Sequence, residues 1–158
     1  MKRLLIVSTL IMNIAFTFGQ KTTLKEYANK EGVTAITISK NMLSLFSKNA
    51  DLSYGGVNVA EFIDKLSSIN LFASRDKDIA NRLIEDATKF MDTSGYENLM
   101  SMKTKKEEHI NFYIQANEAY ISELVLILES ESKESAVMQF VGKFTMDDIQ
   151  KMIENASK

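Results

Sequence analysis

Apolar positions along the chain follow two spacings. From Glu108 to Ala116 every second residue is apolar, with Ile110, Phe112 and Ile114 on one side, which predicts a half-buried strand. From Tyr120 to Leu128 the alternation gives way to an unbroken apolar run, Leu124–Leu128. That run predicts a central strand covered on both faces. Ala136–Phe144 predicts another strand, with Gly142 marking a bulge or a close approach. Tyr96–Lys103 and Ser67–Ala73 (Ile69, Leu71 and Ala73 on one side) are further strands, and Val33–Ser39 is one by its β-branched density.

The helical spacing appears elsewhere. Ile79, Leu83, Ala87, Phe90 and Met91 define the longest helix, Asp76–Thr93, with Gly95 as its stop. Val59, Phe62, Ile63 and Leu66 define a second over Asn58–Leu66, with Asn58 and Glu61 as a capping box. A third begins at Thr145, capped by Thr145 and Asp148, with Ile149, Met152 and Ile153 as its apolar face and Phe144 with Ile149 as a staple. A short helix after Ser39 turns Met42, Leu45 and Phe46 inward. The predicted order is β-α-α-β-α-β-β-β-β-α. We expect an α+β fold in two layers, a mainly antiparallel sheet with the helices packed on one face.

The first residues have a different character. Lys2 and Arg3 precede an apolar run from Leu4 to Phe18, and Thr17 and Gly19 are small residues at a cleavage spacing. Residues 1–19 therefore read as a signal peptide, cut before Gln20, and residues 20–158 as a single α+β domain beginning near Leu24. The apolar run is shorter than the roughly 20 residues a spanning helix needs, so no stable membrane anchor is expected after cleavage. This places the protein in the periplasm or outside the cell. Removing the leader takes away Lys2 and Arg3 and leaves 17 basic against 21 acidic residues. An acidic balance argues against a nucleic-acid partner.

Composition narrows the chemistry. The chain has no Cys, Pro or Trp and a single His. Disulfides, thiolate metal sites, Cys nucleophiles and any site needing two imidazoles are excluded. No phosphate-cradling glycine loop and no nucleophile or zinc motif occurs, so no cofactor and no metal are expected. Asp51–Gly56 departs from a calcium loop, with Gly55 at position 5 and Phe62 at position 12, and reads as an ordinary loop. The methionines Met91, Met100, Met102, Met138 and Met152 read as adaptable core filler.

Several segments together resemble a known family. GVTAITISKNML (Gly32–Leu43), LSSINLFAS (Leu66–Ser74), YENLMSMK (Tyr96–Lys103), ISELVLILE (Ile121–Glu129) and VGKFTMDDIQKMI (Val141–Ile153) resemble the domain of unknown function 4252, found in envelope proteins of Gram-negative bacteria. The resemblance covers about 120 residues. It implies an exported protein of unassigned activity. Members often carry a lipoprotein Cys, which is absent here, and the family offers no catalytic or binding residues to transfer.

Acidic residues cluster at Glu107-Glu108, at Glu129, Glu131 and Glu134, and at Asp147-Asp148. Turns and helix starts account for all three clusters. Lys103, Lys105 and Lys106 form a small basic group followed at once by Glu107-Glu108, as a hairpin turn of mixed charge does. The strand around His109 carries His109, Asn111, Tyr113 and Gln115 on the side opposite Ile110, Phe112 and Ile114. With helices on the other face, these four form a polar-aromatic surface on an open sheet, the best binding face in the chain. The expected function is a non-enzymatic binding or accessory module of the bacterial envelope, with a protein or peptide partner. Two other classes fit the same residues. A carboxylate-dependent hydrolase requires a concave pocket with two close, unpaired acids. A regulatory component of an envelope-signalling operon requires a matching gene neighbourhood.

Overall fold

The computed structural model describes residues 24–46, 53–54, 57–58, 60–104 and 107–156. The leader at residues 1–19 lies outside the described residues. A 3-10 helix, Leu24–Asn29, leads into β1 (Thr34–Ser39) and α1 (Lys40–Leu43), which Ser39 caps. A small hairpin follows, β2 (Ser53–Tyr54) with β3 (Val57–Asn58). Its first strand falls in the segment Asp51–Gly56, expected to be an ordinary loop. A 3-10 helix, Ala60–Lys65, then enters β4 (Leu66–Ser74). The remainder is α2 (Lys77–Thr93), β5 (Glu97–Lys103), β6 (Glu108–Ala116), β7 (Ile121–Ser130), β8 (Ser135–Phe144) and α3 (Met146–Ala156).

Most of these elements arise where the spacing predicts them. Asp76 caps α2 by accepting from the Asp78 and Ile79 amides at 3.0 Å. Beyond its end Gly95 takes φ +78°, a conformation side chains disfavour. Thr145 and Asp148 form the reciprocal cap of α3, Thr145 N donating to Asp148 Oδ2 at 2.8 Å and Asp148 N to Thr145 Oγ1 at 3.3 Å. Two expectations fail. Met42 and Leu45, expected to face inward after Ser39, are 48% and 77% exposed, because α1 ends at Leu43 and it is Leu43 that turns into the core. The helix expected over Asn58–Leu66 is the other exception. Asn58 belongs to β3, and Ala60–Lys65 wind as a 3-10 helix that enters β4. So short a connector suits the tighter i→i+3 bonding.

The six long strands form one antiparallel sheet in the order β1-β4-β8-β7-β6-β5. β5 to β8 make the expected meander. β4 joins it beside β8, at the far side from β5, so α2 carries the chain across three intervening strands. At about 1.5 Å per residue its 17 residues reach about 25 Å. Four inter-strand gaps of about 4.8 Å amount to about 19 Å, so the helix is long enough to cross obliquely.

That crossing overturns the two-layer expectation. The sheet is covered on both faces. On one, α2 places Leu83, Ala87 and Met91 with Leu24 and Tyr27 against Phe72, Tyr113, Val125, Ile127 and Val137. On the other, α3 places Ile149 and Met152, with Leu43, Phe62 and Ile63, against Leu71, Ile110, Phe112, Leu124, Leu126 and Met138. The physical reason lies in the two central strands. Consecutive residues of β7, Leu124 to Ile127, point alternately to opposite faces and all are buried. A single helical layer leaves Val125 and Ile127 in water. The architecture remains α+β, with three layers.

Met91, Met138 and Met152 are buried, and Met100 and Met102 pack partly buried against the core, as filler should.

Candidate functional site

The four residues proposed on β6 share one sheet face, as alternation requires, but that face is not open. Tyr113 is only 5% exposed and packs in the cluster beneath α2. Gln115 is half-buried and donates through Nε2 to the Ser94 carbonyl at the end of α2, 3.2 Å. Asn111 is half-buried. His109 is exposed, opposite Lys103 on β5 and Glu129 on β7. The structure therefore separates His109 and Asn111 from Gln115, with Tyr113 roofed over between them. The cause is the destination of α2, which local periodicity does not encode.

Another part of the same face lies at the rim of that apolar cluster, against which Tyr96 packs. Here a chain of side-chain hydrogen bonds runs across the strands. Thr37 Oγ1 on β1 donates to Asn70 Oδ1 on β4 at 3.1 Å. Asn70 Nδ2 donates to Gln139 Oε1 on β8 at 3.0 Å. Gln139 Nε2 donates to Glu123 Oε2 on β7 at 2.5 Å, and the Tyr96 hydroxyl donates to the same oxygen at 2.6 Å. Register sets this up, since Thr37 pairs with Asn70 and Asn70 with Gln139. Asn70, Gln139, Glu123 and Tyr96 are half-buried and Thr37 is exposed. Burial, and then the hydrogen bond to Glu123, raise the Tyr96 hydroxyl well above its ordinary 10.0, so it stays protonated and donating.

Sequence reasoning missed this row. Its signal is a polar residue set beside apolar ones in each strand: Asn70 within Ile69–Phe72, Gln139 within Met138–Val141, and Glu123 just before the apolar run that starts at Leu124. Nothing in the chain itself says that these positions meet.

The acidic clusters have structural occupations. Glu108 bonds Lys133 Nζ at 3.0 Å and Thr104 at 3.3 Å, and Glu134 lies 3.8 Å from Arg75. Glu107 sits 3.7 Å from Lys103. Asp148 caps α3 and receives Lys65 Nζ on both oxygens, at 2.7 and 2.6 Å. Glu129 and Glu131 line a depression of about 290 Å³ at the start of α2. Both are exposed and share it with Arg75, Lys77 and Lys133, so neither is the desolvated carboxyl that a general acid needs.

Asp148 carries a pH-dependent part of the stability. Burial alone raises its carboxyl, but the Lys65 and Thr145 hydrogen bonds outweigh that and hold it below its ordinary 3.8. A depressed carboxylate stabilises the fold fully above the ordinary value, and that contribution disappears as pH falls through the lower folded value. Asp148→Asn should cost about 1 kcal/mol at neutral pH, as for a helix cap joined to a partly solvated ion pair. It should also flatten the loss of stability between neutral pH and about pH 3. Denaturant melts at the two pH values check both.

Among the described residues, no group of three or more His, Asp or Glu side chains is placed to hold a metal ion, and no helix is long and apolar enough to cross a membrane. The fold and its polar row thus define a sheet-centred α+β domain with a hydrogen-bonding surface. The chain belongs to the family described as domain of unknown function (DUF4252), whose model matches residues 27–152, from the first 3-10 helix into α3. No curated protein and no solved structure matches it.

Proposed function

We propose that the protein is an exported, non-enzymatic binding or accessory module of the bacterial envelope, recognising a protein or peptide partner. The leader pattern at residues 1–19 motivates export. The observation that carries the binding reading is the row Thr37–Asn70–Gln139–Glu123–Tyr96. Its carboxamides and carboxylate are held in fixed orientations by one another, so a partner meets donors and acceptors already ordered. Preorganisation of this kind lowers the entropy cost of binding. Asn70 and Gln139 also present the same amide chemistry as a peptide backbone.

The test compares wild type with the Asn70→Ala/Gln139→Ala variant, each purified from the periplasmic fraction after crosslinking in the cell. The wild type should begin at Gln20 and bring down a partner that the variant loses, while both keep the same circular-dichroism spectrum. Equal recovery of the partner, or a purified protein that retains its first nineteen residues, overturns the reading.

A further inference from the structure

The two edges of the sheet are built differently. β5 carries Glu97 and Lys103 at its ends and a register break between Asn98 and Met100. Charge and bulges are the usual protection of an edge against pairing. β1, Thr-Ala-Ile-Thr-Ile-Ser, has neither. It contains no charge, Pro or Gly, and its register against β4 is unbroken from Thr34↔Ala73 to Ser39↔Ser68. Among the described residues β4 is its sole strand neighbour. Of the four large apolar side chains exposed among the described residues, three lie on or just after it: Ile36 is 45% exposed on β1, and Met42 and Leu45 after it are 48% and 77% exposed.

We infer that β1 is a self-association edge, pairing antiparallel with β1 of a second copy of this chain so that two six-stranded sheets become one. The occupant follows from the strand itself. An antiparallel pair centred on Thr37 sets Thr37 opposite its own equivalent and Ile36 opposite the partner's Ile38. Same-face pairs of β-branched residues are the favourable ones in a sheet. An uncharged strand offers nothing to select a charged foreign peptide, but it is its own complement. The arrangement also closes. Once both β1 edges are paired, the outer edges are two β5 strands, charged and bulged, and growth stops at a two-fold dimer. The polar row then runs on from Thr37 into its equivalent in the second copy. The inference does not depend on the proposed function, because the readout is assembly without any partner.

Sedimentation velocity of the purified protein, across a concentration series, tests it. The wild type should sediment as a dimer. Ile36→Lys should raise the dissociation constant about tenfold or more while keeping the circular-dichroism spectrum, the lysine replacing a half-exposed residue. Should that variant unfold, Leu45→Lys replaces the most exposed of the apolar set and should weaken the dimer in the same direction. Met146→Lys, an exposed position on α3 at the opposite edge, should leave the dimer intact. A wild type that stays monomeric, lysine variants as dimeric as wild type, or a dimer lost only in Met146→Lys each overturns the inference.

Discussion

Truncating Leu126 to Ala should lower the unfolding free energy by about 2–5 kcal/mol, a large share of the stability of a domain this size. Leu126 is 1% exposed in β7, between Phe112 on β6 and Met138 on β8, and it faces the side covered by α3. The site has little room to collapse. Strands flank it on both sides, and Ile149 and Met152 sit in the cluster that covers it. The lost methyl and methylene contacts are therefore compounded by a residual cavity, placing the cost within the upper part of the range. A urea titration of wild type and variant measures it. Met146→Ala, at a position 54% exposed and away from β1, is the control and should stay within about 0.5 kcal/mol. A variant at Leu126 that melts like wild type removes β7 from the centre of the core.

Adding one carbon at Gly142 should cost about 1–3 kcal/mol, for the opposite reason. A Cβ built there lies 2.4 Å from the Lys65 carbonyl oxygen and 2.7 Å from Phe144 Cζ. Phe144 is fully buried, and Lys65 O is backbone at the junction where the 3-10 helix becomes β4. Moving that carbonyl also moves Lys65, whose ammonium holds Asp148 at the start of α3. Gly142 pairs with Leu66 next to a register break, so the strand is already irregular where the two backbones meet. Gly142→Ala should thus lower the melting temperature and also weaken the acid dependence assigned to Asp148, as the Lys65–Asp148 contact loosens. Thermal melts at neutral and acid pH read both effects. An alanine variant as stable as wild type contradicts the close approach.

How much of this was legible in the chain can be judged from particular residues. The span of β6, the span of α2, the Thr145–Asp148 cap and the special role of Gly142 are all local, and local spacing was enough to find them. The unbroken run Leu124–Leu128 already required cover on both faces. It was in conflict with helices on one face, and the structure resolves the conflict in favour of the run. What local spacing could not show is where α2 delivers the chain. That single topological fact buries Tyr113, divides the His109–Gln115 surface and leaves the polar row at the rim of the apolar cluster. The row was illegible for a related reason. Asn70 and Gln139 are 69 positions apart, and only the pairing of β4 with β8 brings their side chains together. The Lys65–Asp148 contact, 83 positions apart, is hidden in the same way.

The pairing of β4 with β8 bears on how the chain acquires its shape. β5 to β8 can zip as successive hairpins, each closing a short loop. β1 and β4, by contrast, have one side of their small sheet unpaired until β8, near the C-terminus, has been made. Long-range strand pairing of this kind is slow and leaves apolar edges waiting. During synthesis the first half of the domain therefore needs protection from aggregation, and truncations that remove β8 should be insoluble even though they retain most of the residues.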